Sequence, residues 1–157
     1  MRNLVIFIAT GAGSGYSPIA SGTAGSAVGV VLFAALTWGL GLSTLALLAV
    51  TVAVTLVGIW AAGRAEGIFG GKDDGHITID EVAGQLISLL ALPVRWEVML
   101  VGFFLFRFFD IVKPPPARQL ESVRGGVGVM GDDVFAGIYA NLVGQVLWRA
   151  LAAGGWL

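Results

Sequence analysis

The chain is 157 residues long, 57% hydrophobic and only 12% charged, with a formal net charge of −1. That composition falls outside the soluble class and is that of an integral membrane domain. With no cysteine, a disulfide framework and a thiol nucleophile are both excluded.

At the N-terminus, MRNLVIFIAT carries one Arg and a short apolar run. It is too short to cross about 30 Å of hydrocarbon and is expected to be retained as an interfacial or half-buried segment. GAGSGYSPIASGTAGS then leads into a first membrane helix at about 23–39, which stops at the Gly-rich turn GLGLS. Thr23 and Ser26 put small hydroxyls at its start, where open N–H groups and the helix dipole favour a phosphate. Gly25 and Gly29 form a GxxxG that could equally serve helix packing alone. A second helix is expected over about 43–63. A third, about 79–92, opens with Asp80 and Glu81 and ends at Pro93. The fourth, about 96–112, runs to KPPP, and the fifth, about 132–152, opens with Asp132 and Asp133. The expectation is an all-α fold: a polytopic membrane helical bundle of about five helices, forming one domain over residues 1–157.

Threading these helices through a bilayer sorts the charges. Of nine Lys and Arg, seven (Arg2, Arg64, Lys72, Arg107, Lys113, Arg118, Arg124) fall on or near the face that holds the N-terminus, which makes that face cytoplasmic. The acids gather there too, with Glu97 alone on the opposite side. Asp80 and Asp132 occupy N-cap positions, where a carboxylate is ordinary. Glu81 and Asp133 are not explained by capping, because each begins a polar stripe at helical spacing. One stripe is Glu81, Gly84, Gln85, Ser88; the other is Asp133, Gly137, Asn141, Gln145. Ionisable groups at membrane depth cost about 2.5–3.5 kcal/mol and turn toward a cavity or a partner, so the two stripes are expected to face each other.

In LFRFFDIVKPPP, Arg107 and Asp110 share one face of the fourth helix, with Lys113 a turn later, and Phe103, Phe104, Phe106, Phe108 and Phe109 around them are suited to lipid. A structural Arg107–Asp110 ion pair is one reading. The other gives Asp110 to a metal with the remaining acids, and Arg107 or Lys113 to an anion. The single histidine, His76, fits a surface loop better than a general base. Carboxylates without cysteine are hard ligands suited to Mg²⁺ shared with a phosphate, and their place at a membrane surface points to a phosphorylated lipid headgroup.

Four stretches, GSGYSPIASGTAGS, DDGHITIDEVAGQ, FRFFDIVKPPPARQLE and GGVGVMGDDVFAGIYANL, together resemble the phosphatidylglycerophosphatase A family, in order and over most of the chain. The resemblance implies a Mg²⁺-dependent phosphatase of the bacterial inner membrane. Such an enzyme removes the terminal phosphate of phosphatidylglycerophosphate to leave phosphatidylglycerol. Its partners would be the phospholipid substrate and the membrane, with no nucleic acid. Carried over by position, the matching acids are Asp73, Asp80, Glu81, Asp110, Asp132 and Asp133, with Lys113 at the family's lysine, and Asp73, Asp80, Glu81, Asp132 and Asp133 are the expected metal ligands. Asp80, Glu81, Asp110 and Asp133 are the expected catalytic acids, and Arg107, Lys113, Thr23 and Ser26 the expected phosphate contacts. The chain lacks an Asp-x-Asp triplet, a cysteine and a second histidine, which removes three other phosphatase designs. Water activated by Mg²⁺, with Asp80, Glu81 or Asp133 as base, is then the simplest mechanism. An aspartyl-phosphate is an alternative. A headgroup phosphotransferase or a small-molecule transporter would use similar carboxylates, but the first lacks its D-G-x-x-A-R signature and the second would carry charge through the whole membrane thickness.

Overall fold

A computed structural model of the chain describes residues 1–71, 74–120 and 122–155, and every regular element among them is a helix. Helix α1 (Arg2–Ala9) is followed by a 3-10 turn (Ser14–Tyr16). Next come α2 (Ser21–Ala34, continued as a π-helical segment, Ala35–Gly39), α3 (Thr44–Phe69), α4 (Ile79–Leu89), α5 (Trp96–Val112), the short α6 (Ala117–Leu120) and α7 (Gly126–Ala153). α1 buries Val5 and Ala9 and exposes Leu4 and Phe7, the half-buried segment expected of MRNLVIFIAT.

Among the described residues, three helices are long and apolar enough to cross a membrane: Ser21–Gly39, Thr44–Phe69 and Gly126–Ala153. The expected all-helical membrane bundle is found, while the count of about five spans is not confirmed, because α4 and α5 fall short of that length. α4 has 11 residues. At 1.5 Å per residue it reaches only about 16 Å, and an apolar stretch of that length suits a core helix. Nine of its eleven residues are buried, and α7, α2, α5 and α3 all pack on it. Val82 and Ala83 join a core with Ala61, Ala62 and Met130; Leu86 and Leu89 join another with Phe33, Leu47 and Met99.

Small residues make these crossings close. A Cβ at Gly137 would strike the Gly84 carbonyl, and one at Gly84 would lie 2.7 Å from the Asp133 carbonyl oxygen and 2.5 Å from the fully buried Phe106 ring. Gly25 and Gly29, the GxxxG of α2, face Thr78 and Gln85 at the same close range, which is the packing role. The facing of the two polar stripes holds in part. Gly84 meets Gly137, and lower down Asn141 donates to the carbonyls of Ser88 (3.1 Å) and Leu90 (2.7 Å), while Gln145 reaches that of Ala91 (3.1 Å). These amides satisfy carbonyls left open where α4 ends. Gln85 turns instead toward α2 and donates to Ser88 Oγ at 2.8 Å.

Two helix starts differ from expectation. Thr78, not Asp80, is the N-cap of α4, so Asp80 and Glu81 both lie inside the first turn. α7 begins at Gly126, and Asp132 and Asp133 are buried well within it rather than at its cap. The run GGVGVMG reads locally as a loop, but Gly126 packs against the Ile59 carbonyl of α3 and Gly128 against that of Val123, contacts that need residues without side chains. Tertiary packing overrides the low helix propensity of glycine there.

Candidate active site

The ends of four helices and one loop meet at a single cavity of about 200 Å³. α4 brings Asp80 and Glu81, α5 brings Asp110 and Lys113, α7 brings Asp132 and Asp133, α2 brings Ser21, and the loop before α4 brings Asp74. Among the described residues, six carboxylates thus surround the cavity against one lysine.

The carboxylates of Asp80, Glu81 and Asp133 each place an oxygen within 4.8 Å of the other two. Asp80 and Asp133 are only 7% and 3% exposed. Asp80 Oδ1 accepts the Glu81 N–H at 3.1 Å, whereas Glu81 Oε2 and Asp133 Oδ2 are buried without a hydrogen-bond partner. Buried anionic oxygens are costly unless something positive meets them. Three converging carboxylates with two open oxygens are a fitting donor set for a hard divalent cation.

The remaining charges are paired by the protein. Arg107 Nη1 lies 2.7 Å from Asp110 Oδ2 and donates to Ser26 Oγ at 3.4 Å, while Ser26 donates to the Gly22 carbonyl at 2.9 Å. Lys113 Nζ lies 2.7 Å from Asp132 Oδ2. Lys113 can stand here because it closes α5 in the left-handed region (φ 46°), with its N–H on the Phe109 carbonyl and Pro114 ending the helix. Gly22 is required by close approach: a Cβ there would strike the Glu81 carboxylate and stand 3.1 Å from Arg107 Nη1.

Most residues singled out from the sequence therefore gather at one place: Asp80, Glu81, Asp110, Lys113, Asp132 and Asp133 line the cavity, and Arg107 and Ser26 sit beside it. Asp132 lies outside the three-carboxylate group and faces Lys113. Thr23 is exposed and does not line the cavity. Asp73 lies outside the described residues. Sequence reasoning passed over Asp74, which does line the cavity; its Oδ1 accepts the His76 N–H at 3.0 Å and contacts His76 Nδ1 at 2.6 Å. These bonds hold the Asp74 carboxyl below its ordinary pKa, the backbone N–H contributing most. The Asp-Gly-His spacing, typical of a side chain closing its own turn, was the available signal. His76 stacks on Phe69, with Tyr16 at 5.3 Å, as a partly exposed loop residue.

Comparison with known proteins bears directly on this cavity. The sequence description of the family phosphatidylglycerophosphatase A matches residues 7–148, a span that contains every site residue named above. The chain belongs to the phosphatidylglycerophosphatase A family. It is accordingly a hydrolase, a phosphatase embedded in a membrane. Phosphatidylglycerophosphatase A of Haemophilus influenzae is 40% identical over 91% of this chain and 88% of its own length, and that of Escherichia coli is 36% identical over 88% and 80%. A putative phosphatidylinositol-3-phosphatase of Bacteroides thetaiotaomicron is 44% identical over 89% of this chain and 91% of its own. No solved structure matches the chain. Within this phosphatidylglycerophosphatase A member, the four stretches that carried the resemblance are the four that meet in space: the start of α2, the loop and start of α4, the end of α5, and the first turns of α7.

Proposed function

We propose that the protein hydrolyses the terminal phosphomonoester of phosphatidylglycerophosphate, giving phosphatidylglycerol and phosphate. The reaction would use Mg²⁺ at the cytoplasmic face of a bacterial inner membrane. The observation that carries this reading is the pair of open, buried oxygens on Glu81 and Asp133 beside Asp80, in a chain of this family. A dianionic phosphate has no reason to enter a cavity with six carboxylates unless a cation is shared between them. Asp80, Glu81 and Asp133 would hold Mg²⁺; when bound there it supplies charge neutralisation and Lewis acidity toward the phosphoryl group.

The chain's own residues do the rest. Arg107 and Lys113 flank the cavity and offer N–H donors to the phosphate oxygens. Asp110 and Ser26 hold the Arg107 guanidinium in place, so its orientation is set before substrate arrives. Asp80, Glu81 or Asp133 takes the proton of the attacking water as the new P–O bond forms and the ester P–O bond breaks. A proton returns to the departing glycerol oxygen. The concentration of basic residues on the N-terminal face supports the cytoplasmic orientation.

One observation favours a second headgroup: the Bacteroides relative is named for phosphatidylinositol 3-phosphate. The purified protein in mixed micelles should release phosphate from phosphatidylglycerophosphate with Mg²⁺ and cease to do so in chelator. Phosphatidylinositol 3-phosphate and phosphatidic acid run alongside should be turned over more slowly. Full activity in chelator would reject the cation, and preference for the inositol lipid would reject the headgroup.

A further inference from the structure

We propose that the groove between α2 and α5 seats an acyl chain of the lipid substrate, so that two helices carry both the phosphate contacts and the recognition of the lipid tail. The inference rests on the lipid-phosphatase reading above and adds where the rest of the substrate lies. The groove has a volume of about 530 Å³ and a wholly apolar lining. On α2 it is lined by Ala27, Val31, Ala34 and Trp38, spaced i, i+4, i+7, i+11 along one face. On α5 it is lined by Trp96, Leu100 and Phe103, and the next residue at the same spacing is Arg107.

That register ties the groove to the site. Ser26, bonded to Arg107, immediately precedes Ala27, and Arg107 stands one turn beyond Phe103, so the Arg107–Ser26 contact closes the polar end of an otherwise greasy channel. From Ala27 to Trp38 the helix rises about 16 Å, roughly half of the hydrocarbon thickness and so the depth of one leaflet. A phospholipid has this same order of parts, an anionic head above an apolar tail, and the cation at the groove's polar end complements the head. The other large apolar cavity lacks this match. Formed by Leu92, Val98, Val101, Leu147 and Trp148, it lies on another face of the same half of α5, and no residue of the site lines it or continues its register.

Val31 and Leu100 are both exposed, so bulk added at either enters the groove without disturbing the core. Val31→Trp and Leu100→Trp should lower kcat/KM for long-chain phosphatidylglycerophosphate about tenfold. The dihexanoyl substrate, too short to fill the groove, should be hydrolysed as by the wild type. Leu147→Trp, in the cavity beside Glu97, should change neither. Equal rates of all three variants on the long-chain lipid, or an equal fall on both chain lengths, would overturn the proposal. A binding measurement on the unaltered protein keeps it independent of folding and turnover. Phosphatidylglycerophosphate with a diazirine in mid-chain should crosslink to residues 27–38 and 96–103 more strongly than phosphatidylcholine with the same probe. Labelling spread alike over all lipid-facing helices by both lipids would overturn it. Loss of phosphate release in the wild type with selective crosslinking retained would count against the reaction and not against the groove.

Discussion

The two adjacent acid pairs, Asp80–Glu81 on α4 and Asp132–Asp133 on α7, look alike in sequence and meet different fates. On α4 the pair lies in the first turn, where the helix dipole favours anions, and both members join the three-carboxylate group. On α7 the pair is buried within the helix and divides: Asp132 faces Lys113 at 2.7 Å, while Asp133 turns an open oxygen toward Asp80 and Glu81. Lys113 thus meets one acid of the second pair, while Asp80, Glu81 and Asp133 converge on one another, with open oxygens on Glu81 and Asp133. Adjacent identical residues can therefore have different surroundings, one beside a lysine and the other among carboxylates.

That division can be broken most sharply at Asp133. Asp133→Asn should lower kcat by about a hundredfold or more, as expected when a metal-binding, proton-accepting group is lost. Mg²⁺ titrated into the wild type should raise its Tm in detergent, and the same titration should leave Asp133→Asn unmoved; a shared shift would detach Asp133 from the cation. Lys113→Met tests the structural half. It removes the 2.7 Å Lys113 contact from the buried Asp132, a loss of about 3 kcal/mol in a chemical or thermal unfolding measurement. The double variant Lys113→Met, Asp132→Leu should recover most of that stability. Gly22→Ala should reduce kcat/KM about tenfold by pushing a methyl group into the Glu81 carboxylate, with little change in Tm.

The smallest effect concerns Asp74. Its carboxyl, held below the ordinary value by His76, should titrate in NMR at lower pH than an exposed Asp. A depressed folded-state pKa adds stability above the unfolded value and loses it as pH falls through the folded value, so the contribution disappears only in strong acid. His76→Ala removes the ring contact and should move the Asp74 titration upward, while the backbone N–H keeps part of the shift. An unchanged titration would mean that the ring contributes nothing.

Much of this arrangement was legible from local pattern. The limits of α5 coincide with the expected 96–112, because a charged and proline-bound apolar run has few ways to be read. Asp80, Glu81, Asp110, Lys113 and Asp133 were recognisable because ionised groups beside apolar helices require a partner. What stayed hidden depends on neighbours remote in sequence. Gly126 lies in a helix because its bare backbone packs on the Ile59 carbonyl of α3, a contact that a local reading of GGVGVMG does not contain. Thr23 and Ser26 are both hydroxyls at one helix start, and only the rotation of α2 decides that Ser26 meets Arg107 while Thr23 faces outward. α4 and α5 have the composition of membrane spans, yet burial of α4 on all sides follows from the close crossing of Gly84 with Gly137.

The amides of Asn141 and Gln145, one turn apart on α7, grip the last carbonyls of α4 and so fix its rotation and its depth. Each residue turns a helix by about 100°. A single residue inserted between Gln85 and Leu89 would leave that grip intact and swing Asp80 and Glu81 away from Asp133. The lower anchor thus acts as the index mark of a dial whose reading is taken at the other end, and two neutral side chains that never touch the acids help, with the close Gly84–Gly137 crossing, to set their aim.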